Sequence, residues 1–249
     1  MKEILNIPYD ALPEQMLDAY LPEENTRAAF LYFHGGGLQY GSKSGYTSKT
    51  LPLGNDIALF SAEYRMYPDA KYPEFIEDAA KAVAFTLDYI KKNLNCDTLY
   101  VGGSSAGGYL SMMLCFDGKY LAKEGVTNAD IAGYFHDAGQ PTAHFNVLRE
   151  RGLDTRRAVI DETAPLYYIE EGKHFPPMRF IISDNDLACR FEQIMLTLAT
   201  LKHFGYAHFD HRVMQGKHCA YVREKDENGV SRLAPLIVDF ITDAEKGII

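Results

Sequence analysis

Seven small residues, Gly102-Gly103-Ser104-Ser105-Ala106-Gly107-Gly108, constrain this chain more than any other stretch. They follow a short apolar run, Thr98–Val101, whose β-branched and aromatic residues mark a buried strand. They precede Gly107–Phe116, which reads as a helix. A turn this tight between strand and helix leaves no room for side chains two residues either side of its centre, hence Gly103 and Gly107. It also forces Ser105 into a strained backbone conformation at a helix N-terminus, where free N–H groups favour negative charge.

The rest of the chain repeats the alternation of strand and helix signals. Ala28–Phe33 and Ile57–Tyr64 are near-continuous apolar runs, the mark of strands buried on both faces. Gln15–Leu21, Ile131–Phe135, Met178–Ile182 and Phe209–Met214 read as further strands. Ile76–Asn93 has helical periodicity, with Ile76, Ala79, Ala80, Val83 and Leu87 on one face, and Arg190–Phe204 and Val230–Ala244 read as helices. The pattern predicts an α/β fold with a mostly parallel central sheet and helices on both faces. With 249 residues and no repeat or linker, 1–249 is expected to be one domain. The irregular stretch 136–175 is a candidate lid-like insertion above the active edge of the sheet.

Composition removes several functions. Thirty-four acidic against 25 basic residues give a net charge of −9, which repels phosphate backbones, so no nucleic-acid partner is expected. No run approaches the ~20 apolar residues of a membrane helix, and MKEILNIPYD lacks a secretory pattern. No membrane partner and a cytoplasmic location are the corresponding expectations. Cys96, Cys115, Cys189 and Cys219 have no zinc spacing and read as reduced thiols, mostly buried in packing. No metal and no cofactor are expected, and oligomeric state is not encoded in any recognisable pattern.

G-x-S-x-G between strand and helix is a nucleophile signature, with Ser105 as the attacking group. His34-Gly35-Gly36-Gly37 follows the strand Ala28–Phe33 directly. Consecutive glycines let backbone N–H groups face a developing oxyanion, and Gly36, Gly37 and Ala106 are the expected donors. His34 reads as a residue pinning that loop. A carboxylate after a buried parallel strand lies on the same sheet edge. Asp186 is favoured there over Asp184, with Asp137 a more distant third. His218, in a loop after the last strand and before the final helix, is the expected base. The cluster His136, Asp137 and His144 suggests a metal but lacks a third well-placed ligand. Tyr40, Phe145 and Tyr167 are candidates for contact with substrate.

Together, H-G-G-G at 34–37, EYRMYPDAKYPEFIEDAAKA at 63–82, GGSSAGG at 102–108, the acid turn at 183–186 and GKH at 216–218 resemble the hormone-sensitive-lipase-like esterases of the α/β-hydrolase superfamily. The resemblance covers roughly residues 28–220. It implies triad roles for Ser105, Asp186 and His218 and an oxyanion hole at Gly36, Gly37 and Ala106. Three departures stand out: only 33 residues precede His34, so the usual N-terminal cap is not expected; YRMYPD replaces YRLAPE; and serine replaces glycine at Ser183. The implied activity is hydrolysis of small short-chain acyl esters, acetyl esters of sugars or metabolites among them, through a Ser-His-Asp triad and an acyl-enzyme. An amidase or formamidase with the same triad, and a non-catalytic ligand-binding homologue, remain alternatives.

Overall fold

A computed structural model of the chain describes residues 1–45, 51, 55–225, 227 and 231–249. Among these residues eight strands form one sheet: β1 (Lys2–Pro8), β2 (Met16–Leu21), β3 (Ala28–Phe33), β4 (Ile57–Ala62), β5 (Leu99–Ser104), β6 (Gly133–Asp137), β7 (Met178–Asn185) and β8 (Phe209–Lys217). Their order is β1-β2-β4-β3-β5-β6-β7-β8. β4 to β8 are parallel throughout, and β2 turns antiparallel on β4 with β1 antiparallel on β2. The expected mostly parallel sheet is therefore present, with an antiparallel edge.

Strand pleating divides the core in two. Ala29, Leu31 and Phe33 of β3 face one cluster and Ala28, Phe30 and Tyr32 the other, as period-two alternation requires. The first face is covered by α1 (Glu74–Leu94), α2 (Ala106–Phe116) and α5 (Arg190–His203). The second is covered by α7 (Leu233–Glu245), through Leu233, Ile237, Phe240 and Ile241. Burying one such aliphatic or aromatic side chain stabilises the fold by about 1.5–3 kcal/mol, so each helix is held chiefly by its apolar stripe. Among the described residues no helix is long and apolar enough to cross a membrane.

Several boundaries differ from the sequence expectation, each for a physical reason. β1 is additional to the strands expected from sequence, because its residues are exposed or half-buried throughout and carry no apolar signal. β5 runs on through Gly102 and Gly103, where a Cβ would come within 2.6 Å of Phe135 O or 2.5 Å of Phe33 O. β6 includes His136 and Asp137, polar residues that are nonetheless fully buried. β7 and β8 extend to Asn185 and Lys217 because the two ends pair with each other. Three short helices, α3 (Lys119–Lys123), α4 (Phe145–Glu150) and α6 (Ala220–Arg223), are too short to show a period. The first predicted residue of the closing helix, Val230, lies outside the described residues.

The block that follows β4 fixes the sheet's active edge. Glu63 accepts hydrogen bonds from His34 Nε2 at 2.7 Å and from Lys43 N at 3.2 Å. His34 also stacks on Tyr64, whose hydroxyl donates to His34 O at 2.9 Å. Fully buried Asp78 on α1 accepts a two-point contact from Arg65, Nε and Nη2 each at 2.8 Å, and a third bond from Gln15 Nε2 at 2.8 Å. A buried carboxylate needs that degree of satisfaction.

Candidate active site

Parallel register brings the C-terminal ends of β3, β5, β6, β7 and β8 to one edge, where ligands bind in open α/β sheets. Phe33 pairs with Gly103, Ser104 with Asp137, and Asn185 with Lys217. The segments leaving those ends carry the glycine loop, Ser105, the acid turn and His218.

Ser105 caps α2 with φ 56° and ψ −109°, a region that non-glycine residues seldom enter. Its N–H donates to Asp137 O at 2.7 Å, tying the turn to β6. A Cβ on Gly107 would lie 1.9 Å from Phe33 O, and one on Gly103 2.5 Å from the same atom, so backbone forbids a side chain at either place. Ser105 Oγ lies 2.8 Å from His218 Nε2, and His218 Nδ1 lies 2.5 Å from Asp186 Oδ1. With its proton on Nδ1, the imidazole donates to Asp186 and accepts from Ser105. The Asp186 side chain is fully buried and also accepts from Leu187 N at 2.7 Å. Burial pushes its pKa up, but the His218 hydrogen bond and charge, the Leu187 N–H and the Arg190 charge outweigh this and hold it below the ordinary carboxylate value. Asp184 stands apart, exposed, and accepts from Gly216 N at 2.9 Å.

Beside Ser105, Gly36 and Gly37 adopt positive φ of 123° and 66°. A Cβ on Gly36 would meet Tyr40 O at 1.8 Å, and one on Gly37 would meet Phe145 Cζ at 2.8 Å. The N–H groups of Gly36, Gly37 and Ala106 donate to no backbone carbonyl among the described residues. A cleft of about 550 Å³ opens here, lined by Gly35, Gly36, Gly37, Ser105 and His218. Its apolar walls are Phe145, Leu187 and Val222. Of the three expected contact residues, only Phe145 reaches the cleft. Tyr40 (68% exposed) and Tyr167 (57% exposed) lie outside its lining. The stretch 136–175 is buried against the body at 136–144, 146–148 and 163–166, lies at or near the surface over 149–162, and contributes Phe145 alone to the cleft.

The thiols divide. Cys96 and Cys115 are buried as expected, whereas Cys189 is exposed and Cys219 lines the cleft, its Sγ 3.7 Å from His218 Nε2. His136 sits among Tyr134, Phe116 and Phe180, and His144 against Tyr109 and Phe145. Among the described residues no three His, Cys, Asp or Glu side chains converge as a metal site would need.

A buried network that sequence reading did not foresee lies under the site. Tyr32 donates to Ser104 Oγ at 2.8 Å; Ser104 and Tyr221 both donate to Asp137. It joins β3, the Ser105 turn, β6 and α6, and its one sequence signal was a polar residue ending a strand. Burial pushes Asp137 up to about 6, only partly offset by the two hydroxyls. Unfolded aspartate ionises near ~4. Between those values the folded chain keeps a proton that the unfolded chain releases, so this group's contribution to stability falls as pH rises from about 4 to 6, then levels off. The full shift corresponds to roughly 3 kcal/mol. Urea unfolding at pH 4 and pH 7 should show wild type losing about that much relative to Asp137→Asn. Equal pH slopes for the two proteins would rule Asp137 out as the group responsible.

A family model, BD-FAE, matches residues 17–148, just over half of the chain and a span that includes the glycine loop and the Ser105 turn. The chain belongs to the BD-FAE family. Among individual relatives of this BD-FAE member, esterase LipI of Mycobacterium tuberculosis is 30% identical over 96 residues, covering 37% of this chain and 30% of LipI. The curated relatives that the chain matches are spanned over about a quarter to a third of their own length. Among solved structures, esterase B from Lactobacillus Rhamnosis superposes with a TM-score of 0.78 at 17% identity, over 99% of this chain and 87% of that one. Est2 of Thermogutta terrifontis with butyrate bound gives 0.73 at 20% identity, over 98% and 94%. These likenesses show the fold of this BD-FAE protein, the α/β-hydrolase fold.

Proposed function

We propose that the chain is a serine carboxylesterase acting on small, short-chain acyl esters. The observation that carries this is the unbroken line Asp186–His218–Ser105, at 2.5 and 2.8 Å, opening onto a cleft beside Gly36 and Gly37. His218 takes the Ser105 proton as Oγ attacks the ester carbon. The tetrahedral oxyanion is received by the N–H groups of Gly36, Gly37 and Ala106, each such donor typically contributing ~3–4 kcal/mol. His218 returns the proton to the leaving alcohol, and an acyl-enzyme remains. Water, activated by the same imidazole, releases the acid. Asp186 keeps the imidazole in the tautomer that this sequence needs.

Acyl groups of a few carbons suit a cleft walled by Phe145, Leu187 and Val222, and the Est2 structure with butyrate bound belongs to the same fold. The test uses purified protein on p-nitrophenyl esters from acetate to octanoate, beside p-nitroanilides of the same acids and a fluorophosphonate probe. Hydrolysis of the short esters, with one probe adduct mapped to Ser105, is the expected result. Cleavage of the anilides alone would make the chain an amidase. No turnover and no adduct would leave a binding protein built on this fold.

A further inference from the structure

Arg190 is an oddity for a buried residue. It is 6% exposed, opens α5 at the end where the helix dipole disfavours a cation, and makes no ion pair among the described residues. Its guanidinium instead donates to Ala138 O at 2.7 Å and to Gln140 Oε1 at 3.1 Å. Gln140 Oε1 also accepts from Phe145 N at 3.3 Å, and Gln140 Nε2 donates to Ala143 O at 2.9 Å. Phe145 is the ring packed on Gly37 at the cleft wall. The carboxylate that Arg190 interacts with through space is Asp186, four residues before it.

We propose that Arg190 is a positioning residue: its buried charge stabilises the Asp186 carboxylate, and its hydrogen bonds brace the turn that sets Phe145 against Gly37. The inference rests on the triad reading above. A buried, unpaired cation is costly to keep, and here it serves two parts of one site. The burial that disfavours its charge pushes Arg190 down to about 10, so it still carries that charge at neutral pH. Asp186 also faces His218 and Cys219 from the loop after β8, Tyr221 from α6 and Asp137 from β6. Among these groups Arg190 supplies the permanent positive charge.

Arg190→Gln removes the charge while keeping a donor for Ala138 O; Arg190→Lys keeps the charge; Gln140→Ala cuts the brace alone. All three are compared with wild type and Ser105→Ala on p-nitrophenyl butyrate across pH 5–9, with melting curves to establish folding. Arg190→Gln should move the acid limb of kcat/KM upward by roughly half a unit or more. Arg190→Lys should leave that limb in place, and Gln140→Ala should raise KM several-fold with the limb unmoved. A folded Arg190→Gln with the wild-type profile overturns the proposal, as does a limb that moves in Arg190→Lys or a Gln140→Ala with unchanged KM. Should Arg190→Gln fail to fold, the other two variants still decide. An inert wild type, or an active Ser105→Ala, would instead sink the triad reading.

Discussion

Ser105→Ala is expected to lower turnover of a short p-nitrophenyl ester by about 10⁶-fold while leaving the fold intact. The substitution removes one oxygen whose partner is His218 Nε2. It keeps the Cβ, so the strained turn at φ 56° and its 2.7 Å bond to Asp137 O are untouched. What remains is the cleft and the three N–H groups proposed as oxyanion donors; such features alone sustain ~10³–10⁴-fold over water in enzymes of this chemistry. The variant should therefore bind ester, retain the wild-type melting temperature, take no fluorophosphonate label and give no burst of p-nitrophenol. A variant that still acylates would move the nucleophile elsewhere; Ser104, whose hydroxyl is spent on Asp137, is poorly placed for that.

Residues buried on both faces of the sheet were the most legible in the sequence. Ala28–Phe33 and Ile57–Ala62 are apolar almost without interruption because both of their faces are buried in the core, and their limits could be read to within two residues. The glycine loop and the Ser105 turn were legible for a related reason. At Gly36, Gly103, Gly107 and Gly108 backbone lies within 1.8–2.5 Å of a would-be Cβ and excludes every other residue type, so the chain has to carry glycine there. Elements without such constraint were silent, as β1 was, lying open on the sheet edge.

Cleft walls were the least legible part of the site. Tyr40 and Tyr167 are aromatic and close to motifs in sequence, yet both are exposed and lie outside the cleft lining, while Leu187 reaches the cleft from the turn after β7 and Val222 from the four-residue α6, neither with a period or motif of its own. The same holds for the groups beneath it. Beyond a polar residue ending a strand, nothing local in Tyr32, Ser104, Asp137 and Tyr221 announces a hydrogen-bonded chain, because four segments far apart in sequence supply it. Arg190 reads as an ordinary helix-start residue until its burial is known.

Asp186→Asn is expected to cost about 10⁴-fold in kcat, or roughly 5 kcal/mol of transition-state stabilisation. An amide nitrogen facing His218 Nδ1 donates rather than accepts, which drives the imidazole proton to Nε2. In that tautomer Nε2 can no longer accept from Ser105 across the 2.8 Å bond. The loss should appear in kcat more than in KM, since Asp186 is buried behind His218 and does not line the cleft. Asp184→Asn supplies the contrast. Asp184 lies in the same turn but is exposed, and the bond it accepts from Gly216 N survives on an amide oxygen, so activity should stay within a few-fold of wild type. Asp137→Asn separates the remaining carboxylate. It changes stability with pH as argued above, and because Asp137 bonds to Ser104 and Tyr221 rather than to His218, it should not reproduce the tautomer loss. If Asp184→Asn proved the damaging change and Asp186→Asn the mild one, the acid would sit two residues earlier. The 2.5 Å contact between His218 and Asp186 would then not be the one that works during catalysis.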